Sequence, residues 1–275
     1  MPLKLMYITN NPQVALLAQK YGVDRIWIDL ETLGKEERQK NIDSVKSRHS
    51  VNDIKTIAPL LNSSEMLVRV NPWNEGSVDE INRVINAGAQ LVMLPMWKTI
   101  EEVELFIRAV SRRAKTVLLL ETKEAADCLD DVLKLNGIDE IHIGLNDLHL
   151  SYGLTFMFEL LTDGTVESIC GKIKKAGIPY GFGGIAKIGE GLLPAEKIIL
   201  EHYRLGSTRA ILSRSFCNAQ LIETIEEVES TFKQNMKKLR DFERVAEKAG
   251  LCELEENRKA VRDCVKIIVD KIKDK

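Results

Sequence analysis

TVLLLETKEAADCLDDVLKLNGIDEIHIGLND, residues 116–147, carries the plan of the whole chain. An apolar run, TVLLLE (116–121), leads into an amphipathic stretch (123–135), a glycine stop in NGID (136–139) and a second apolar run, EIHIGL (140–145). Neither run alternates; each is nearly continuous in hydrophobicity, as expected of a strand covered on both faces. The unit reads as strand, helix, parallel strand. Each strand also delivers an acid, Glu121 from the first and Asp147 just past the second.

Six further runs have the same texture: LKLMYIT (3–9), RIWIDL (25–30), EMLVRV (65–70), QLVMLPM (90–96), IPYGFGG (178–184) and RAILSRSF (209–216). Amphipathic stretches separate them at 11–21, 51–61, 77–87, 99–113, 165–176 and 189–205. In 99–113, Ile100, Val103, Phe106, Ile107 and Val110 form one stripe and Thr99 is the expected N-cap. Several helices end in glycine before the next strand, as in YGVD, AGAQ and AGIP. Eight strands alternating with helices predict a (β/α)8 barrel over residues 1–217. A doubly wound open sheet is the alternative, but its first turn usually carries a Gly-rich fingerprint, and ITNNPQVA has none. Residues 218–275 are charge-dense and helical, broken at Gly250, and predict a C-terminal extension that packs on the barrel or on another subunit.

With 275 residues, 44% hydrophobic, the chain can bury a sizeable core. A formal charge of -2 lacks the basic footprint of a nucleic-acid binder. Five scattered cysteines without a C-x-x-C pair predict free thiols in a reducing cytoplasm, and no stretch approaches the length of a membrane span.

Barrel active sites form at the C-terminal ends of the strands. Those ends supply Asp29 and Glu31 (strand two), Arg69 and Asn71 (three), Pro95 and Met96 (four), Glu121 (five), Asp147 (six), Gly183 and Gly184 (seven), and Ser213 and Arg214 (eight). Glu121 and Asp147 come from neighbouring strands. Adjacent carboxylates repel unless they share a proton or a cation, and an all-oxygen environment favours Mg2+ or Mn2+. Arg69 offers a planar fork to a substrate carboxylate, or a structural ion pair to Asp29 or Glu31. Metal and arginine together would receive a 2-oxo acid and stabilise the enolate left when a bond beta to the ketone breaks.

These segments resemble the HpcH/HpaI aldolase and citrate lyase beta family. VRVNP (68–72) is similar to its substrate-arginine strand, LVMLPM (91–96) to its strand-four segment, and LLLETKEA (118–125) and IGLNDLHLS (143–151) to its two metal-carboxylate motifs. IDLETLGKEERQ (28–39) resembles the acidic strand-two loop. The resemblance spans about residues 5 to 217 and implies a barrel, a divalent metal on Glu121 and Asp147, and Arg69 on a pyruvate-like carboxylate. It also implies lyase chemistry with an aldehyde or thioester co-substrate, and trimers or hexamers that exchange C-terminal helices. One position departs. Where family branches place a His or Asp base after the strand-two acid, this chain has Thr32, a poor base near neutral pH. His49 or Glu31 could serve instead; His149 is a neighbour of the metal site or a surface residue, and His142 a core residue. Lys35 and Arg38 on the strand-two loop, with Gly183, Gly184, Lys187, Ser213 and Arg214, suggest an anionic second substrate. They keep open two alternatives: a barrel that uses phosphoenolpyruvate or binds phosphate, and a relative with altered catalysis.

Overall fold

The computed structural model describes residues 1–34, 49–219, 222 and 224–274. Eight strands close into a barrel in sequence order: β1 (Lys4–Ile8), β2 (Arg25–Asp29), β3 (Glu65–Arg69), β4 (Leu91–Leu94), β5 (Lys115–Leu120), β6 (Glu140–Ile143), β7 (Tyr180–Ile185) and β8 (Arg209–Leu212). Every neighbouring pair is parallel, and β8 returns to β1 through Leu5 opposite Ala210.

Side chains alternate across each strand, so one set of alternate residues faces the helices and the other fills the barrel. The outward set, with Ile26, Ile28, Val68, Leu118 and Ile141, joins the large core under the helices. The inward set forms a separate cluster of Met6, Trp27, Leu67, Leu91, Met93, Val117 and Leu119. This explains why the strands look continuously apolar. It also explains their charged ends, because the same inward parity carries Arg25, Trp27, Asp29 on β2 and Glu65, Leu67, Arg69 on β3.

At the bottom of the barrel the inward positions hold a buried ion network. Glu140 accepts from Arg25 Nη1 at 2.7 Å and from Arg209 Nε at 2.8 Å, and Glu65 bridges Arg25 and Lys115. Burial alone would raise the Glu140 pKa, but the two guanidiniums outweigh it and hold it at about 2, below its ordinary 4.5. A folded-state value below the unfolded one adds stability above about pH 4.5 that disappears as pH falls toward 2, on the order of 3 kcal/mol. Urea unfolding of Glu140→Gln is expected to show that loss at pH 7 and a flatter stability curve through the acid window.

The helices are α1 (Pro12–Lys20), α2 (Val51–Ile57), α3 (Ser77–Ala87), α4 (Ile100–Val110), α5 (Lys123–Asp127), α6 (Leu129–Val132), α7 (Leu145–Ser151), α8 (Glu159–Thr162), α9 (Thr165–Lys175), α10 (Ala195–Leu205), α11 (Ile225–Ala246) and α12 (Leu251–Lys273). Thr99 caps α4 reciprocally: its hydroxyl accepts from Glu102 N–H at 3.2 Å, and Glu102 accepts from Thr99 N–H at 3.1 Å. Gly88 ends α3 at φ +118°, and Gly137, in the loop that follows α6, has φ +102°; an added Cβ would lie 2.8 Å from Ala58 Cβ and Ile107 Cγ2 respectively. The short helices α7 and α8 lie between the sixth strand and 165–176, where the periodicity predicts no element; they bury Leu145, Leu148, Leu160 and Leu161.

Helix α11 packs between α1 and α10 and places Val228, Phe232, Met236 and Leu239 in the main core. That is the eighth position of the helical ring, so the barrel's own helices continue past residue 217. Helix α12 lies outside the ring on α8 and α10. Val261, Val265 and Val269 bury its inner face, and Asn257 Nδ2 donates to Glu201 Oε1 at 3.0 Å. All five cysteines are free, and no described helix is long and apolar enough to cross a membrane.

Candidate active site

The inward parity that fills the barrel brings Asp29, Arg69 and Glu121 to its upper mouth, where a cavity of about 610 Å³ opens. Asp29 and Arg69 are register partners on β2 and β3. Arg69 Nε and Nη2 donate to the two Asp29 oxygens, each at 2.9 Å, and Nη2 lies 3.2 Å from Glu31 Oε2. The guanidinium lies 5.2 Å from the centroid of the Trp27 ring. Burial works against the Arg69 charge, but Asp29, Glu31 and Glu121 more than compensate and raise its pKa. The structural ion pair considered for Arg69 is therefore present, and it occupies one edge of the fork. Nη1 on the other edge makes no hydrogen bond among the described residues.

Glu121, just beyond β5, is 2% exposed. Met96 N–H donates to its Oε1 at 3.1 Å from a residue at φ +53°, a left-handed conformation unusual for methionine. On its other side is Gly144, where an added Cβ would lie 2.8 Å from Oε2 and 2.9 Å from Cβ of Glu121. Burial first, and then the nearby charge of Asp147, push the Glu121 pKa well above the usual carboxylate range. Asp147 lines the same cavity, from the first turn of α7 rather than from the end of β6. Both acids, expected as a pair, border this one cavity.

Asp29, His49, Gly183, Gly184, Ser213 and Arg214 also line the cavity. His49 Nδ1 accepts the Asp29 backbone N–H at 3.0 Å, which leaves the proton of a neutral ring on Nε2. Other expectations need correction. Pro95 and Met96 do not line the cavity; Met96 instead donates its backbone N–H to Glu121. Glu31 does not line it either, being held behind Arg69. Lys187 pairs with Glu190 at 2.6 Å and borders a separate surface depression. His149 is buried, not superficial, with Nδ1 3.2 Å from Leu145 O. Lys35 and Arg38 lie outside the described residues.

Thr32 is tied down. Its N–H and hydroxyl both donate to Asn71 Oδ1, at 2.8 and 3.2 Å, and Asn71 Nδ2 donates to Glu80 at 2.8 Å. The sequence reading noted Asn71 but not this clamp, and it assigned no role to Trp27, which lines the cavity beneath Arg69. Inward parity on β2 would have found Trp27; nothing local signals the Asn71 contact.

The donor set suits a hard divalent cation. Among the described residues no group of three or more His, Cys, Asp and Glu could hold a metal ion. Two buried carboxylates with water and substrate oxygens are instead the usual complement for Mg2+. Asp147 and Glu31 both oppose the charge of Glu121, so a cation relieves a repulsion already present.

The profile of the HpcH/HpaI aldolase/citrate lyase family matches residues 4–179. The chain belongs to this family. As an HpcH/HpaI relative it is expected in a lyase-type enzyme class, and the family is generally dependent on divalent metal. Similar solved structures include an HpcH/HpaI aldolase from Desulfitobacterium hafniense DCB-2, at 13% identity and TM-score 0.62, covering 87% of this chain and 93% of that one. An aldolase/citrate lyase family protein from Burkholderia cenocepacia J2315 has 16% identity, TM-score 0.62, and coverage of 82% and 94%. A citrate lyase from Burkholderia xenovorans LB400 has 14% identity, TM-score 0.58, and coverage of 84% and 77%. At these identities the likeness concerns the fold. No protein of curated function matches the chain significantly.

Proposed function

We propose that this HpcH/HpaI member is a divalent-metal-dependent carbon–carbon lyase acting on a 2-oxo acid through a pyruvate-type enolate. The observation that carries the reading is the pairing of Glu121 with Asp147 in a cavity that also holds Arg69. Glu121 and Asp147 would hold Mg2+ or Mn2+. When bound, that cation supplies the positive charge that stabilises the enolate oxygen.

The remaining work falls to the chain. Asp29 and Glu31, the latter offered by the sequence as a substitute base, fix the plane of the Arg69 guanidinium and act as positioning groups. The outer Nη1 edge of Arg69 binds and orients the substrate carboxylate. His49 stands at the cavity wall, held there by the Asp29 backbone N–H. Met96 N–H and the space at Gly144 keep Glu121 aimed into the cavity. An aldehyde or thioester co-substrate would enter along Gly183, Gly184 and Arg214. We extend the reading to a homo-oligomer of about three or six chains, by the family resemblance, which sedimentation measures.

Decarboxylation of oxaloacetate needs charge at the keto oxygen and a carboxylate site but no base, whereas aldol cleavage also needs a proton acceptor for the 4-hydroxyl. Pyruvate release from oxaloacetate and from 4-hydroxy-2-oxo acids, each with Mg2+ or Mn2+, tests the assignment. Binding of phosphoenolpyruvate without any pyruvate release from either substrate would favour the other reading. Gly144→Ala supplies a second check: its methyl would displace the Glu121 carboxyl. Mn2+ affinity, read by electron paramagnetic resonance, is expected to fall at least about tenfold with the circular dichroism spectrum unchanged.

A further inference from the structure

Below the ring of acids is a second layer of the cavity that the lyase reading does not use. Trp27 and His142 are each 2% exposed, and both line the cavity. They precede the strand-end layer by one inward step, Trp27 under Asp29 on β2 and His142 under Gly144 at the end of β6. Leu119 and Ile211 complete this floor.

The polar atoms of the floor are not satisfied by the protein. Among the described residues Trp27 Nε1 has no hydrogen-bond partner, and neither does Nδ1 or Nε2 of His142. The Gly183 backbone approaches the imidazole, but outside hydrogen-bond geometry. Buried donors and acceptors left unpaired are costly and rare. Trp97 Nε1 is also unpaired, but it does not border the cavity. Two such side chains on opposite walls of one cavity, with an open mouth above them, have the form of a binding site.

We propose that Trp27 and His142 form a floor subsite for an uncharged oxygen, a hydroxyl or carbonyl of the substrate's non-carboxylate end. The chemistry of the walls selects the class. Trp27 supplies only a donor, and a neutral imidazole supplies one donor and one acceptor. Burial keeps His142 neutral at pH 7 by lowering its pKa to about 4. An anion on the floor would sit against Leu119 and Ile211 with Arg69 already offering a better place above. A cation would find no carboxylate in this layer. A hydroxyl can accept from Trp27 and donate to the acceptor nitrogen of His142, and a carbonyl oxygen can accept from both N–H groups.

The proposal rests on the 2-oxo acid reading for the identity of its ligand, so the test separates the two. In the full-length, Mg2+-loaded protein the indole N–H signals of the three tryptophans are recorded, with Trp27→Phe assigning the Trp27 signal. The protein is titrated with 4-hydroxy-2-oxobutanoate and with 2-oxobutanoate, which differ only by the hydroxyl. The Trp27 signal is expected to move downfield with the hydroxy acid alone, and that acid to bind about tenfold more tightly. His142→Phe should erase the difference while leaving 2-oxobutanoate affinity within about threefold; His142→Asn, which keeps a donor and an acceptor, should retain part of it. Equal affinities in the unmodified protein, or a preference that survives both Trp27→Phe and His142→Phe, overturns the subsite. If neither acid binds, the lyase reading fails, and a crystal soaked in ethylene glycol decides the floor by itself. A glycol or water oxygen bonded to Trp27 Nε1 and His142 sustains the subsite; a dry floor removes it.

Discussion

Glu121→Gln and Asp147→Asn should each abolish Mn2+ binding and lower pyruvate release by about a thousandfold or more, with the barrel intact. The reason is the shared position of the two groups. Burial and Asp147 both oppose ionisation of Glu121, so the metal-free protein carries a strained pair. A carboxyl whose folded pKa is raised costs stability as pH rises from its unfolded value toward its folded one. Removing the charge removes that cost. Without metal, both variants should therefore melt higher than the parent near neutral pH, an inversion unlike ordinary damage to a fold. With Mg2+ at about a hundred times its Kd, the parent should gain roughly 2.7 kcal/mol and the variants nothing. Thermal melts with and without Mg2+ read both effects. Tight Mn2+ binding retained by either variant would remove these residues from the metal assignment.

Arg69→Ala should be the most disruptive single change in the site. Asp29 and Glu31 are almost fully buried, and Arg69 pairs with both. Removing the guanidinium from beside these two charges costs about 3 kcal/mol. Affinity for oxalate or pyruvate in the metal-loaded protein should fall about a hundredfold, as a charge-assisted contact with Arg69 Nη1 is lost. The double variant Asp29→Asn, Arg69→Ala separates the two roles. It should recover much of the stability in urea unfolding and none of the ligand affinity. Arg69→Lys keeps the charge but not the fork, so it should hold stability better than binding. Unchanged oxalate affinity in the double variant would confine Arg69 to a structural role.

Several features of the site were legible because they follow from strand parity. Once RIWIDL, EMLVRV and TVLLLE read as parallel strands, Asp29, Arg69 and Glu121 had to gather at one mouth. Glu121 and Asp147 were paired by the neighbouring order of their strands, although Asp147 proved to stand on a helical turn after Gly144. His49, offered by the sequence only as a candidate, reaches the cavity through a bond from the Asp29 backbone. Pro95 and Met96, expected as substrate contacts, do not border the cavity; a strand-end position does not reveal which way its side chain turns. Met96, at a left-handed φ, instead sends its backbone N–H to Glu121.

The sequence by itself determined the barrel, its strand order and the chemical types at its mouth, because periodicity and punctuation are properties of neighbouring residues. Only the tertiary structure decided which groups act on which. Arg69 divides its donors between a structural pair and the cavity, Asn71 captures Thr32, and Trp27 and His142 share a floor across the barrel. These contacts join residues about forty to over a hundred positions apart, and no local pattern records a distance that arises only when the sheet closes on itself.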